Sequence, residues 1–176
     1  MVGPDLTFAD EDPDAAFESF VRERGGALYR AAWALALDPA DAEDLTQEVL
    51  ARTYRHWRRI RRSGADPFAY ARRALVNLRV DRWRRRSRES ATLQEYLSGT
   101  RPAEAPSAVE DRAELAGLLD RLSLQQRRVV VLRYVLDLPV AVVARELRIS
   151  ESNVKTTSSR ALALMRAGRQ NSLEES

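Results

Sequence analysis

Apolar residues recur at intervals of three and four along most of the chain, the spacing of amphipathic helices. Phe17, Phe20, Val21, Leu28, Ala31 and Leu35 share one face of a first stretch. Gly25-Gly26 interrupts it and should bend or weaken it, by about 1 kcal/mol per glycine relative to alanine. Asp38-Pro39 is a start signal, with Asp38 as N-cap and proline at the first helical position. From there Ala42, Leu45, Val49, Trp57 and Ile60 form a stripe, while Asp44, Gln47, Glu48, Ala51 and Arg55 lie off it. After the loop RRSGADP a second Asp-Pro pair, Asp66-Pro67, starts another helix. It turns Phe68, Ala71, Leu75 and Leu78 one way. At about 100° per residue the other side shows Tyr70, Arg73, Asn77, Arg84 and Arg88.

From Ser87 to Ser107 the pattern dissolves. Leu93, Tyr96 and Leu97 could form one short helical turn, but SGTRPAEAPS has linker composition. Periodicity resumes with Leu115, Leu118, Leu119 and Leu122, and Ser123 with Gln126 makes a capping-box start for LQQRRVVVLRYVL. VVVL alone would suit a buried strand; the cap and its polar flanks favour helix. A short helix Val140 to Leu147, a tight turn at Arg148-Ile149 and a helix capped by Ser150 then have helix-turn-helix spacing. Ala144 is small where the two helices approach, and Val143, Leu147, Ile149 and Val154 face their core. The same spacing also suits an αα-hairpin with no nucleic-acid role. If the pair does read DNA, its second helix points Ser152, Lys155, Thr156 and Ser159 outward, with Asn153 and Arg160 at the edges. These are hydrogen-bonding groups suited to base edges.

The fold expected is all-α: two small helical domains joined by a flexible linker, the second a helix-turn-helix four-helix domain. The boundaries expected are an acidic N-terminal tail at 1–13, a first domain at 14–88, a linker at 89–108, a second domain at 109–168 and a C-terminal tail at 169–176.

Charge sharpens the picture. The formal net charge is only +3, yet residues 1–51 hold twelve acids against three bases, and residues 52–88 hold fourteen arginines against Asp66 and Asp81. Codon bias toward arginine would not pile charge into one segment, so 52–88 reads as a polyanion-binding surface. The row Tyr70, Arg73, Asn77 mixes aromatic, amide and guanidinium groups, as a protein offers to bases and phosphates together. Cysteine is absent, which excludes disulfides and thiolate chemistry and fits a reducing compartment. No secretory h-region or apolar run of membrane length is visible, so a cytoplasmic chain with no membrane partner is expected.

Catalytic chemistry is not legible. His56 is the only histidine and lies between arginines. No phosphate-binding glycine motif occurs, and no serine or threonine has a base nearby in sequence. The acids Asp41, Glu43, Asp44 and Glu48 read as solvent-facing, not as metal ligands. We therefore expect no enzyme activity, metal or cofactor.

AEDLTQEVLARTYRHWRRI followed by DPFAYARRALVNLRVDRWRRRSR resembles the promoter-melting domain of bacterial sigma factors. LLDRLSLQQRRVVVLRYVLDLPVAVVARELRISESNVKTTSSRALALMR resembles their C-terminal helix-turn-helix domain. Together they cover roughly residues 14–167 in the order of the small extracytoplasmic-function group, with wording similar to actinobacterial sigma-E-like members. The resemblance implies that Asp41, Asp44, Leu45, Gln47 and Glu48 dock on the clamp coiled coil of the polymerase β′ subunit, with the β flap a second contact. It implies that Arg58, Arg62, Ser63, Asp66, Tyr70, Arg73, Asn77, Arg84 and Arg88 hold the separated minus-ten strand. Ser152, Asn153, Lys155, Thr156, Ser159 and Arg160 would read the minus-thirty-five duplex. Core RNA polymerase and promoter DNA, duplex and single-stranded, are the implied partners, with room for an anti-sigma factor. The chain departs from the family pattern at Arg148, where glycine is usual, and at Pro139, Val142 and Thr157. An alternative is a helix-turn-helix regulator that never meets polymerase, which would leave the acidic patch without a use. A family-derived decoy that binds an anti-sigma factor is another.

Overall fold

The computed structural model describes residues 12–90 and 106–174, with side chains over 12–85 and 111–171. The expected turn around Leu93, the tails before Asp12 and after Glu174, and the Arg88 side chain lie outside these bounds. Every regular element among the described residues is helical. The helices are α1 (Pro13–Ala36), α2 (Pro39–Arg62), α3 (Pro67–Ser90), α4 (Pro106–Asp120), α5 (Leu124–Val130), α6 (Val140–Leu147) and α7 (Glu151–Glu174).

The local start signals act as expected. The Asp38 carboxylate accepts from the Asp41 N–H at 2.8 Å, Asp66 accepts from the Phe68 N–H at 2.8 Å, and Ser123 with Gln126 closes a capping box. Each cap satisfies donors that a helix start leaves without partners. Gly25-Gly26, by contrast, does not interrupt α1, which runs unbroken through both. Packing of the apolar face over α2 outweighs the local propensity loss.

α1, α2 and α3 form one unit around Leu28, Leu35, Leu45, Val49 and Leu75, each almost wholly shielded from water. Thr53 is also fully buried and donates its hydroxyl to the Val49 carbonyl at 2.8 Å, which removes the cost of an unpaired group. Near the start of α1, Phe17 stands edge-on to Trp57 at 5.1 Å, and Phe20 lies 5.3 Å from the same indole.

The second unit packs α4, α5 and α6 against α7 around Val129, Val131, Leu132, Val143 and Val154. α5 continues into a π-helical turn, Val131–Val135, with the Leu136 N–H bonded to the Val131 carbonyl at 3.0 Å. VVVL is thus helical, and widening the turn lets Val131 and Leu132 both bury. The tight turn after α6 is left-handed at Arg148, with φ 55° and ψ 48°. Its N–H reaches the Ala144 carbonyl, the bond that glycine normally makes without strain.

The two units touch. The Arg127 guanidinium reaches the Leu35 carbonyl, the last turn of α1, at 3.4 Å, and Arg79 of α3 donates to that same oxygen at 2.9 Å. Arg72 of α3 pairs with Glu146 of α6 at 2.7 Å, with both side chains nearly sealed from solvent. Arg112 lies over the Trp33 ring at 5.9 Å.

A side-chain-bearing residue in the left-handed region costs roughly 1 kcal/mol. Arg148→Gly is therefore expected to raise unfolding stability by about 0.5–1 kcal/mol in urea titration, less than the full strain because glycine also loosens the unfolded chain.

Candidate nucleic-acid interface

α2 carries the two halves of the candidate surface at opposite ends. Near its start Glu43, Asp44 and Gln47 are exposed and Asp41 is half-buried. Toward its end Arg55, Arg58, Arg59 and Arg62 are exposed. Acids early and arginines late also suit the helix dipole.

Two residues of the expected docking set sit differently. Leu45 is fully buried on the inward stripe with Ala42 and Val49, so it cannot meet a partner. One residue on from an outward Asp44, the helical period turns the side chain into the core. Glu48 is not plainly solvent-facing: it lies half-buried between α2 and α3, accepting from Arg52 at 2.9 Å and from Arg82 at 3.0 Å. Burial pushes its pKa up, but the hydrogen bonds and charges of Arg82 and Arg52 outweigh that and leave it below the ordinary value. Glu48 is a tie between helices. Nothing in the sequence distinguished it from Asp44, because its partner Arg82 arrives from another helix.

The turn between α2 and α3 is built by the residues expected to meet DNA. Ser63 donates its hydroxyl to the Ile60 carbonyl at 2.8 Å. Gly64 takes φ 66°, which suits glycine. Asp66 caps α3 and lies 3.5 Å from Arg72. On α3, Arg73, Asn77 and Arg84 are exposed along one row. Tyr70, at the head of the row, is half-buried; its hydroxyl lies 3.1 Å from His56 Nδ1, the rings 5.6 Å apart. The same Nδ1 lies 2.9 Å from the Arg52 carbonyl, so the lone histidine joins α2 to the candidate surface through its contact with Tyr70.

In the second unit Ser152, Asn153, Lys155, Thr156, Ser159 and Arg160 are all exposed on α7, while Val154, Ser158 and Ala161 face inward. Ser150 caps the helix by accepting from the Asn153 N–H at 3.1 Å. The Asn153 carboxamide accepts from Thr157 at 2.9 Å, so it is partly engaged within the helix. Pro139 provides no side-chain cap for α6.

Sequence reading missed Arg72, Arg128 and Glu146. Arg73 and Asn77 of α3 line a cleft of about 520 Å³ whose other walls include Arg128, Arg145, Glu146 and Arg148. Among the described residues no group of histidines and carboxylates has the arrangement of a metal site, and no helix is long and apolar enough to cross a membrane.

Two helical units of this kind, an arginine-lined helical row and a helix-turn-helix, are joined here in the order that comparison finds elsewhere. Residues 20–89 match the family described as Sigma-70 region 2, and residues 112–165 match Sigma-70, region 4. The RNA polymerase sigma-E factor of Streptomyces coelicolor is 42% identical over 151 residues, 85% of this chain and 84% of that one. The sigma-E factor of Streptomyces avermitilis is 40% identical over the same length, 85% of this chain and 83% of the relative. Among solved structures, the sigma factor RpoE of Bartonella quintana, in complex with the anti-sigma factor NepR, superposes with a TM-score of 0.71 at 22% identity, covering 88% of this chain and 97% of that one. CnrH in complex with the cytosolic domain of CnrY gives 0.64 at the same identity, covering 88% and 87%.

The chain belongs to the sigma-70 family of RNA polymerase sigma factors, in its extracytoplasmic-function group. Its likeness to the Streptomyces proteins makes it sigma-E-like. Membership implies promoter-specific initiation with RNA polymerase, and sigma factors in general are not enzymes.

Glu48→Gln should lower stability by about 0.5–1 kcal/mol at neutral pH, a range suited to a partly exposed pair. Because the folded carboxyl titrates below its ordinary value of 4.5, this contribution is present above that pH and fades as pH falls through the lowered value. Urea midpoints of the two proteins should therefore converge below about pH 4.5 and separate above it.

Proposed function

We propose that this sigma factor grips core polymerase with the exposed acids early on α2 and grips the opened minus-ten strand with the arginines that follow. The observation that carries this reading is the polarity of α2. Asp44 and Gln47 stand outward near its first turns and Arg55, Arg58, Arg59 and Arg62 near its last. The helix is roughly 36 Å long at 1.5 Å per residue, enough to reach from a protein partner to a nucleic-acid one. Carboxylates against a basic coiled coil favour orientation and encounter rate, and the β′ clamp coiled coil is the partner we assign. Glu48 supports this surface indirectly by fixing α2 on α3.

Promoter opening follows from the α3 row. A base leaving the stack costs a few kcal/mol, which a pocket and aromatic or guanidinium stacking can return. Asn77 offers the hydrogen-bonding edge, Arg73 and Arg84 the phosphate contacts, and Tyr70 the ring. Residues 20–89 then form the melting domain, and α6–α7 reads the minus-thirty-five duplex through Ser152, Lys155, Thr156 and Ser159. The names of the two elements imply a separation of about 25 base pairs, roughly 85 Å at 3.4 Å per step. Asn77 and Arg148, by contrast, line one cleft. In our reading the two units must part before both elements are held, and core polymerase is what parts them. An anti-sigma factor that held the units together would favour the joined arrangement, and we place the protein in the cytoplasm with the polymerase.

Asp44→Lys should reduce co-purification with core polymerase at least tenfold, while the unfolding free energy from urea titration shifts by no more than about 0.5 kcal/mol. Undiminished association would remove the docking surface. Asn77→Ala should slow open-complex formation on duplex templates about tenfold and leave a pre-melted bubble template nearly unaffected. An equal loss on both would count against a role in melting.

A further inference from the structure

Beyond Arg73 and Asn77, the cleft between the two units has a lining that the promoter contacts do not account for. Arg73 comes from α3, Arg128 from α5, Arg145 from α6 and Arg148 from the turn after it, and together they face a volume of about 520 Å³. Four guanidiniums are set there against one carboxylate, Glu146. One oxygen of that carboxylate is already taken: Oε1 accepts from Arg72 Nη2 at 2.7 Å and from Arg72 Nε at 2.8 Å, while Oε2 is buried without a donor. Its contact to Arg73 is a looser 3.7 Å. Arg128 gives one N–H to Gln125 at 3.1 Å, and its Nε is buried with no acceptor. Burial, and then repulsion from Arg84, lowers the Arg128 pKa. The guanidinium groups of Arg145 and Arg148 make no hydrogen bond or ion pair among the described residues. The result is a concave site with predominantly positive walls and an excess of unanswered donors, the condition under which a field focuses on an anion.

We propose that this cleft binds a small polyanion, a compact oligophosphate carrying three or more charges, held by arginines of both units at once. Guanidinium forks match phosphate oxygens in pairs, and the volume is that of a site for one small ligand. A nucleic-acid strand would instead need a groove that tracks several successive nucleotides. Because Arg73 belongs to one unit and Arg145 and Arg148 to the other, the ligand binds only the joined arrangement and stabilises it by mass action. It therefore competes with the parting of the units.

The absence of cysteine makes the test clean. Glu18→Cys and Ala163→Cys, both at exposed positions, accept a fluorescent donor and acceptor on the full chain. Inorganic tripolyphosphate is titrated at constant ionic strength, following transfer efficiency and binding heat. Saturable binding with high, narrowed transfer is expected. Arg145→Ala with Arg148→Gly should weaken it at least tenfold, whereas Arg22→Ala with Arg166→Ala, the same loss of charge outside the cleft, should change it less than twofold. Adenosine triphosphate titrated alongside separates a nucleotide source from an inorganic one, and tighter binding of either supports the site and names its source. Three results overturn the proposal: no saturation by either probe, equal weakening in both double variants, or a short single-stranded DNA that outcompetes tripolyphosphate through Arg145 and Arg148. Arg148→Gly keeps the left-handed turn, so loss of binding in that background is not loss of fold.

Discussion

The carbonyl of Leu35, at the last turn of α1, is where the two halves of the molecule are fastened. A helix end concentrates partial negative charge on carbonyls that lack intrahelical donors. Arg79 answers it from within the first unit and Arg127 from the second. Arg127 is itself almost wholly buried, and its guanidinium also reaches Asp120 and the Leu122 carbonyl. Desolvation lowers its pKa and Asp120 partly restores it. One buried cation thus ties together the end of α1, the end of α4 and the start of α5. Without it, the apolar flank of α1 that meets α5 and the π-helical turn would have no polar anchor to set its position.

Local chemistry made much of this legible. Asp38-Pro39, Asp66-Pro67, Ser123 with Gln126, and Ser150 announced helix starts because a cap is written within four residues. The inward stripes of α2 and α3 were equally plain, since their period is set by the helix and not by neighbours. The left-handed turn at Arg148 could be expected from its position between two helices. Leu37, with φ 63° at the end of α1, could not, because nothing in ALALDPA marks leucine for that conformation.

For Glu48 and Arg72 a side chain's role was decided by a residue far away in sequence, whereas the place of Leu45 was set by the local helical period. Leu45 fitted both the apolar stripe and the docking set, and burial resolves the conflict in favour of the stripe. Glu48 looked like Asp44 until α3 brought Arg82 beside it. Arg72 looked like one more arginine in a basic run, yet it spans to Glu146, seventy-four residues on. The exposed residues of α3 and α7, by contrast, needed no distant partner to face outward, so the face expected of each is largely the face it shows.

The Arg72–Glu146 contact has a thermal corollary. One carboxylate oxygen there has no donor, and both groups regain water when the units part, so the ion pair adds little net cohesion. What remains is the apolar packing of α1 against α5 and the π-helical turn, a force that grows from cold toward moderate heat. Warming should tighten the join and cooling should loosen it, an inverse response for a contact whose most visible members are charged.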